Sequence, residues 1–114
     1  MTFLEILGEM GVDADATLKR FMGKEEMLKR FILKYPDDKT YEAFKTAVEG
    51  GTLEDIEVTS HTLKGMAANL GFDRLAQLSA DVMNAVRGGT YDKSMFDEIP
   101  AEQEKLLKCI AQIS

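Results

Sequence analysis

The segment from Thr52 to Gly71 constrains the fold more than any other part of the chain. Thr52-Leu-Glu-Asp55 has the spacing of a capping box, with Asp in place of the commoner Glu or Gln. Gly71 stands where a helix can stop on a residue of positive φ. Between these signals, at about 100° per residue, Leu53, Ile56, Ser60, Leu63, Ala67 and Leu70 fall within an arc of roughly 100°. This predicts a helix over 53–70 with one buried face, which other elements must cover.

Apolar residues recur at helical spacing elsewhere, with glycines as punctuation. Leu4, Leu7 and Met10 predict a short opening helix that stops at Gly8 or Gly11. A second short helix is expected from Asp13 or Asp15, carrying Leu18, Phe21 and Met22 and ending at Gly23. Residues 24–49 read as one long helix, with Met27, Phe31 and Ile32 before Pro36 and Tyr41, Phe44 and Val48 after it. Pro36 removes an amide donor and disfavours helix at Tyr35, so a kink or break is expected there, with Asp37 and Asp38 available as caps. Asp73 can open the next helix, in which Leu75, Leu78, Val82, Ala85 and Val86 form a stripe up to Gly88-Gly89. The segment 92–113 carries Met95, Phe96, Ile99, Leu106, Cys109, Ile110 and Ile113. Pro100 either kinks it or occupies the first turn of a shorter helix from about 100. No Asn-Gly or Asp-Gly turn lies between alternating apolar runs. The expectation is therefore an all-α domain over 1–114, with an antiparallel four-helix bundle at 24–113 after one or two short N-terminal helices within 1–23.

The charge balance narrows the function classes. With 14 Lys+Arg against 20 Asp+Glu the formal charge is −6, which counts against nucleic acid as a partner, since phosphate-backbone affinity comes mostly from cations. His61 and Cys109 are the only histidine and cysteine, so neither an intramolecular disulfide nor a structural zinc site can be assembled from them. Cys109 is expected to be a small buried apolar residue. No apolar run approaches the ~18 residues needed to span a membrane. Residues 1–10 carry two acids and no base, unlike a secretion signal, and a cytoplasmic location is expected.

His61 falls near the side of the 53–70 helix opposite the apolar arc, and is expected to face solvent. Its helix neighbours are Glu57 at i−4, Lys64 at i+3 and Gly65 at i+4, with Ala68 on the same side. Glycine inside a helix costs about 1 kcal/mol relative to alanine, so Gly65 asks for a reason. A flat surface made by Gly65 and Ala68 would give another protein close access to the imidazole.

The run His61-Thr-Leu-Lys64-Gly65-Met-Ala-Ala68-Asn69-Leu-Gly71 resembles the H-x-x-K-G-x-x-x-x-x-G motif of histidine-containing phosphotransfer (HPt) domains. Leu63, Ala67, Leu75 and Leu78 fit that family's pattern, as does the lead-in from Leu18 through Thr52-Leu53-Glu54. Met66 is bulkier than the usual residue, and Pro36 and Pro100 interrupt helices that are often continuous. The resemblance implies that His61 accepts a phosphoryl group from an aspartyl phosphate on a receiver domain and passes it to another receiver. Lys64 would stabilise the phosphoryl charge, and Glu57, Gly65 and Ala68 would belong to the docking face. Apolar residues of the opening helix (Phe3, Ile6 or Leu7) are expected to supplement that face. Asn69 lies too far round the helix for a phosphate contact, and a capping or hydration role is expected of it.

The chemistry is compatible with this. Neutral imidazole is a nucleophile near neutral pH, and phosphoryl transfer depends on in-line positioning and charge stabilisation. No carboxylate cluster suggests a metal site, so no cofactor is expected on this chain, and the resemblance places Mg²⁺ on the partner receiver. The implied partners are receiver domains of response regulators or a hybrid histidine kinase, met by a monomeric phosphocarrier with no small-molecule turnover. A histidine kinase is disfavoured, because no Gly-rich ATP-binding stretch occurs and Thr62, not an acid, follows His61. The competing functions are a receiver-binding module that transfers nothing and a structural helical protein.

Overall fold

Three of the α-helices begin on a residue whose side chain caps the open amides of the first turn. The computed structural model describes residues 1–113, so the expected domain limit at 114 lies outside the described residues. It contains seven α-helices: α1 (Phe3–Glu9), α2 (Ala14–Arg20), α3 (Glu25–Lys34), α4 (Thr40–Gly50), α5 (Leu53–Leu70), α6 (Asp73–Gly88) and α7 (Glu98–Ile110). Single 3₁₀ turns at Tyr35–Asp37 and Lys93–Phe96 precede α4 and α7. No strand occurs among the described residues.

The capping box at Thr52 forms as expected, with the hydroxyl accepting from the Asp55 amide at 3.1 Å and the Asp55 carboxylate accepting from the Thr52 amide at 3.2 Å. At the other end Gly71 adopts φ 82°, the left-handed stop. Asp13 caps α2 by accepting from the Ala16 amide at 3.1 Å. Thr2 and Glu5 form a second capping box at the start of α1, which apolar spacing alone does not reveal.

Pro36 breaks the expected 24–49 helix outright. Its ring sits in the 3₁₀ turn between α3 and α4, and Asp38 rejoins the chain to α4 by accepting from the Thr40 amide at 2.7 Å. The Tyr35 hydroxyl of that turn donates to Gln103 Oε1 on α7, and its ring meets Phe72 edge-on at 5.1 Å. Burial holds the Tyr35 phenol well above its ordinary value of 10.0. Pro100 lies in the first turn of α7, where it removes no helical hydrogen bond.

α5 is the central element. It packs most extensively against α6 and then against α4, while α7 packs against α6. α3 also packs on α5, and α1 and α2 close one end of the bundle against α7 and α5. Ile56, Ser60, Leu63, Ala67 and Leu70 are buried, as are Leu75, Leu78, Val82 and Val86 of α6, and Cys109 is a buried free thiol. The buried hydroxyls of Ser60 and Ser79 donate to the carbonyls of Glu57 and Leu75 within their own helices.

Four side chains depart from the expected apolar faces, and Leu4 of α1 is one of them, at 42% exposed. Leu53 is 46% exposed, because the first residue of α5 projects beyond the end of the bundle, where no helix covers it. In α3 the core ridge is Leu28, Ile32 and Tyr35, so Phe31, one ridge over, is left exposed at the rim against Phe21. Met22 is exposed as well, because α2 ends at Arg20 and Met22 enters the turn to Gly23 at φ 58°.

Candidate functional site

His61 lies near the middle of α5, and its side chain is exposed, on the side away from Leu63 and Ala67. Glu57, Lys64, Gly65 and Ala68 share its face, as helical spacing requires. Gly65 and Ala68 are exposed and Lys64 is half-buried. A Cβ built on Gly65 would meet nothing within 4 Å, so this glycine answers no packing demand inside the bundle. The surface beside the ring is open.

α6 supplies what α5 alone does not. Nδ1 of His61 lies 3.3 Å from the sulfur of Met83, a buried residue of α6. Arg87, one turn further along α6, donates from Nε to the Glu57 carboxylate at 2.8 Å. The negative charge one turn before His61 is therefore held against a guanidinium instead of facing the ring. Lys64 has no ion-pair partner among the described residues, which leaves its ammonium available to an incoming anion. Val58, at i−3 from His61, is 56% exposed and adds an apolar patch to the same surface.

The opening helix does not join this face in the expected way. Ile6 and Leu7 are 1% and 0% exposed and are spent on closing the bundle, while Phe3 is partly buried against the same core. The N-terminal segment contributes elsewhere. Arg20 of α2 donates to the carbonyls of Ala68 at 2.9 Å and Asn69 at 3.3 Å, in the last turn of α5. Asn69 thus takes part through its backbone carbonyl.

A groove of about 550 Å³ opens between α4 and α5, lined by Ala43, Ala47, Gly50, Val58 and Thr59, and His61 is not part of it. Among the described residues no group of three or more His, Cys, Asp or Glu side chains is placed to hold a metal ion. No helix among the described residues is long and apolar enough to cross a membrane. The arrangement is an imidazole on an open helical surface, with an ammonium that has no ion-pair partner among the described residues one turn away and small side chains beside it. Such a surface suits a reactive group presented by another macromolecule better than a small molecule that must be enclosed.

Met83, Arg87 and Val58 were not legible as site residues from spacing around His61 in the way that Lys64 and Gly65 were. Val58 alone carries a signal, as a large apolar residue beside His61 at helical spacing. A family model described as the Hpt domain matches residues 26–113, which spans α4 to α7 and nearly all of α3. No curated protein and no solved structure matched the chain.

Proposed function

Because the chain belongs to the Hpt domain family, whose members serve phosphotransfer in phosphorelay signalling, we propose that His61 is its phosphoacceptor. It takes a phosphoryl group from an aspartyl phosphate on a receiver domain and passes it to another receiver. The observation that carries this reading is the exposed His61 ring, set beside the open surface at Gly65 and the Lys64 ammonium, which has no ion-pair partner among the described residues. In the transfer, a ring-nitrogen lone pair forms the N–P bond as the P–O bond to the aspartyl carboxylate breaks, and the carboxylate leaves with the bonding electrons. Lys64 offsets the phosphoryl charge, and Arg87 keeps Glu57 from opposing it.

The docking face consists of Glu57, Val58, Gly65 and Ala68 around His61. The Mg²⁺ that assists the reaction belongs to the receiver, and the chain works as a monomeric carrier in the cytoplasm, without turnover of a small molecule. The test is incubation with a phosphorylated receiver domain. An acid-labile, base-stable phosphate should appear on this chain and should map to His61. Absence of label from every receiver domain of the source organism would refute the assignment.

A further inference from the structure

The contact between His61 and Met83 specifies more than proximity. A thioether sulfur can accept a hydrogen bond but has no proton to donate, so a bond across the 3.3 Å separation requires the proton on Nδ1. Met83 is only 5% exposed, which keeps water from competing for the sulfur and leaves the side chain little freedom to move away. The obvious stronger acceptor nearby is the Glu57 carboxylate, one turn back on α5. Arg87 holds it at 2.8 Å, which leaves the thioether as the partner for Nδ1.

We infer that Met83 is a positioning residue for His61, fixing the ring in its Nδ1–H tautomer and presenting a bare Nε2 to the incoming phosphoryl group. This rests on His61 being the phosphoacceptor. An imidazole without a partner favours the proton on Nε2, which would place a proton where the N–P bond must form. The hydrogen bond made by one ring nitrogen determines which form the other takes. When Nε2 attacks, the Nδ1 proton stays on the ring, and the sulfur continues to accept from it while positive charge develops there. An uncharged thioether orients the ring in this way without adding a second negative charge to a face that must receive a phosphoryl group.

The tautomer is read directly from the ¹⁵N shifts of the neutral His61 ring. The wild-type protein should show mainly the Nδ1–H form. Met83→Leu keeps the volume but removes the acceptor, and should return the ring to a mainly Nε2–H mixture. Met83→Gln, which supplies an amide oxygen, should restore Nδ1–H. Labelling by phosphoramidate should fall by roughly two- to tenfold in Met83→Leu, the range expected for losing one modest hydrogen bond, and recover in Met83→Gln. A wild-type ring already in the Nε2–H form, or identical tautomer mixtures in wild type and Met83→Leu, would overturn the inference. The wild-type spectrum decides the point even if a variant fails to fold. Failure of a phospho-receiver to label wild-type protein would count against the relay reading instead, because the tautomer is measured without any phosphoryl donor.

Discussion

Thr17 of α2 and Gly71 at the end of α5 are packed so closely that a Cβ at Gly71 would fall on the threonine hydroxyl. Val12 Cγ1 stands only 2.9 Å from the same point, and Thr17 itself is 1% exposed. Gly71 is thus required twice over, by its φ of 82° and by the lack of room. Arg20, one turn after Thr17, holds the last carbonyls of α5 in the same corner. The short N-terminal helices, which lie outside the matched residues 26–113, in this way secure the helix that carries His61.

Gly71→Ala should therefore be costly. Left-handed backbone penalises a Cβ by about 1–2 kcal/mol, and forcing a methyl into a filled site adds about 1–3 kcal/mol. Urea unfolding should show a loss of about 2–5 kcal/mol. In a Thr17→Ala background the same change should cost less, because the closest clash is relieved while the backbone penalty and the Val12 contact remain. Equal costs in both backgrounds would show that Thr17 does not limit the site.

Tyr35 gives the fold a predictable alkaline limit. Burial raises its folded-state pKa, so the phenol keeps its proton in the folded protein at pH values where the unfolded chain has lost it. Below its unfolded pKa of about 10, both states hold the proton and stability is unaffected by this group. As pH rises past that value the unfolded state binds fewer protons, and stability falls by up to about 1.4 kcal/mol per pH unit. Tyr35→Phe also loses the hydrogen bond to Gln103, so it should be less stable at pH 7. Its stability should nevertheless decline less steeply above pH ~10 than that of the wild type. Parallel declines would place the alkaline limit elsewhere.

His61 and Lys64 should separate chemically. His61→Gln should abolish labelling by a phospho-receiver while leaving the thermal midpoint near that of the wild type, since the ring is exposed. Lys64→Ala should slow transfer without abolishing it, because the lysine supplies charge and not the attacking atom. Raising ionic strength should shrink the difference between Lys64→Ala and wild type, as screening does to any contribution from a partly exposed charge. A Lys64→Ala protein with full activity at low salt would make this lysine an ordinary surface residue.

The parts of the molecule that the sequence reveals are those defined within one helix. α5 is legible because Thr52, Asp55 and Gly71 mark its ends and five buried side chains mark its face. Helical spacing then places Lys64 and Gly65 beside His61 with no tertiary information. Leu53 shows the limit: periodicity gives the direction of a side chain but not whether a neighbour waits there. α3 shows another, since Met27, Leu28, Phe31, Ile32 and Leu33 offer more than one apolar ridge, and only packing against α5 selects Leu28 and Ile32. Met83 and Arg87 reach the site from α6, 22 residues from His61 and 30 from Glu57, a separation that carries no local pattern. Ile6 and Leu7 show it again, since an apolar stripe on a short helix serves a docking face or a core equally well and only their burial at 1% and 0% assigns them to the core.

Gly65→Gln tests the open surface most sharply. A Cβ at this position meets nothing within 4 Å, so the new side chain enters solvent without displacing any neighbour. Glycine is the poorer helix former by up to about 1 kcal/mol, and the substitution should leave the melting point equal or higher. The added side chain nevertheless stands one turn from His61, where a receiver's aspartyl phosphate must come within bonding distance. Stability and receiver-driven transfer should then move in opposite directions, with transfer strongly reduced. Phosphoramidate, which needs no docking surface, should label His61 at close to the wild-type rate. If both rates fell together, the glutamine would be disturbing the imidazole itself. If neither fell, the receiver would not approach across Gly65, and the glycine would not be serving partner access.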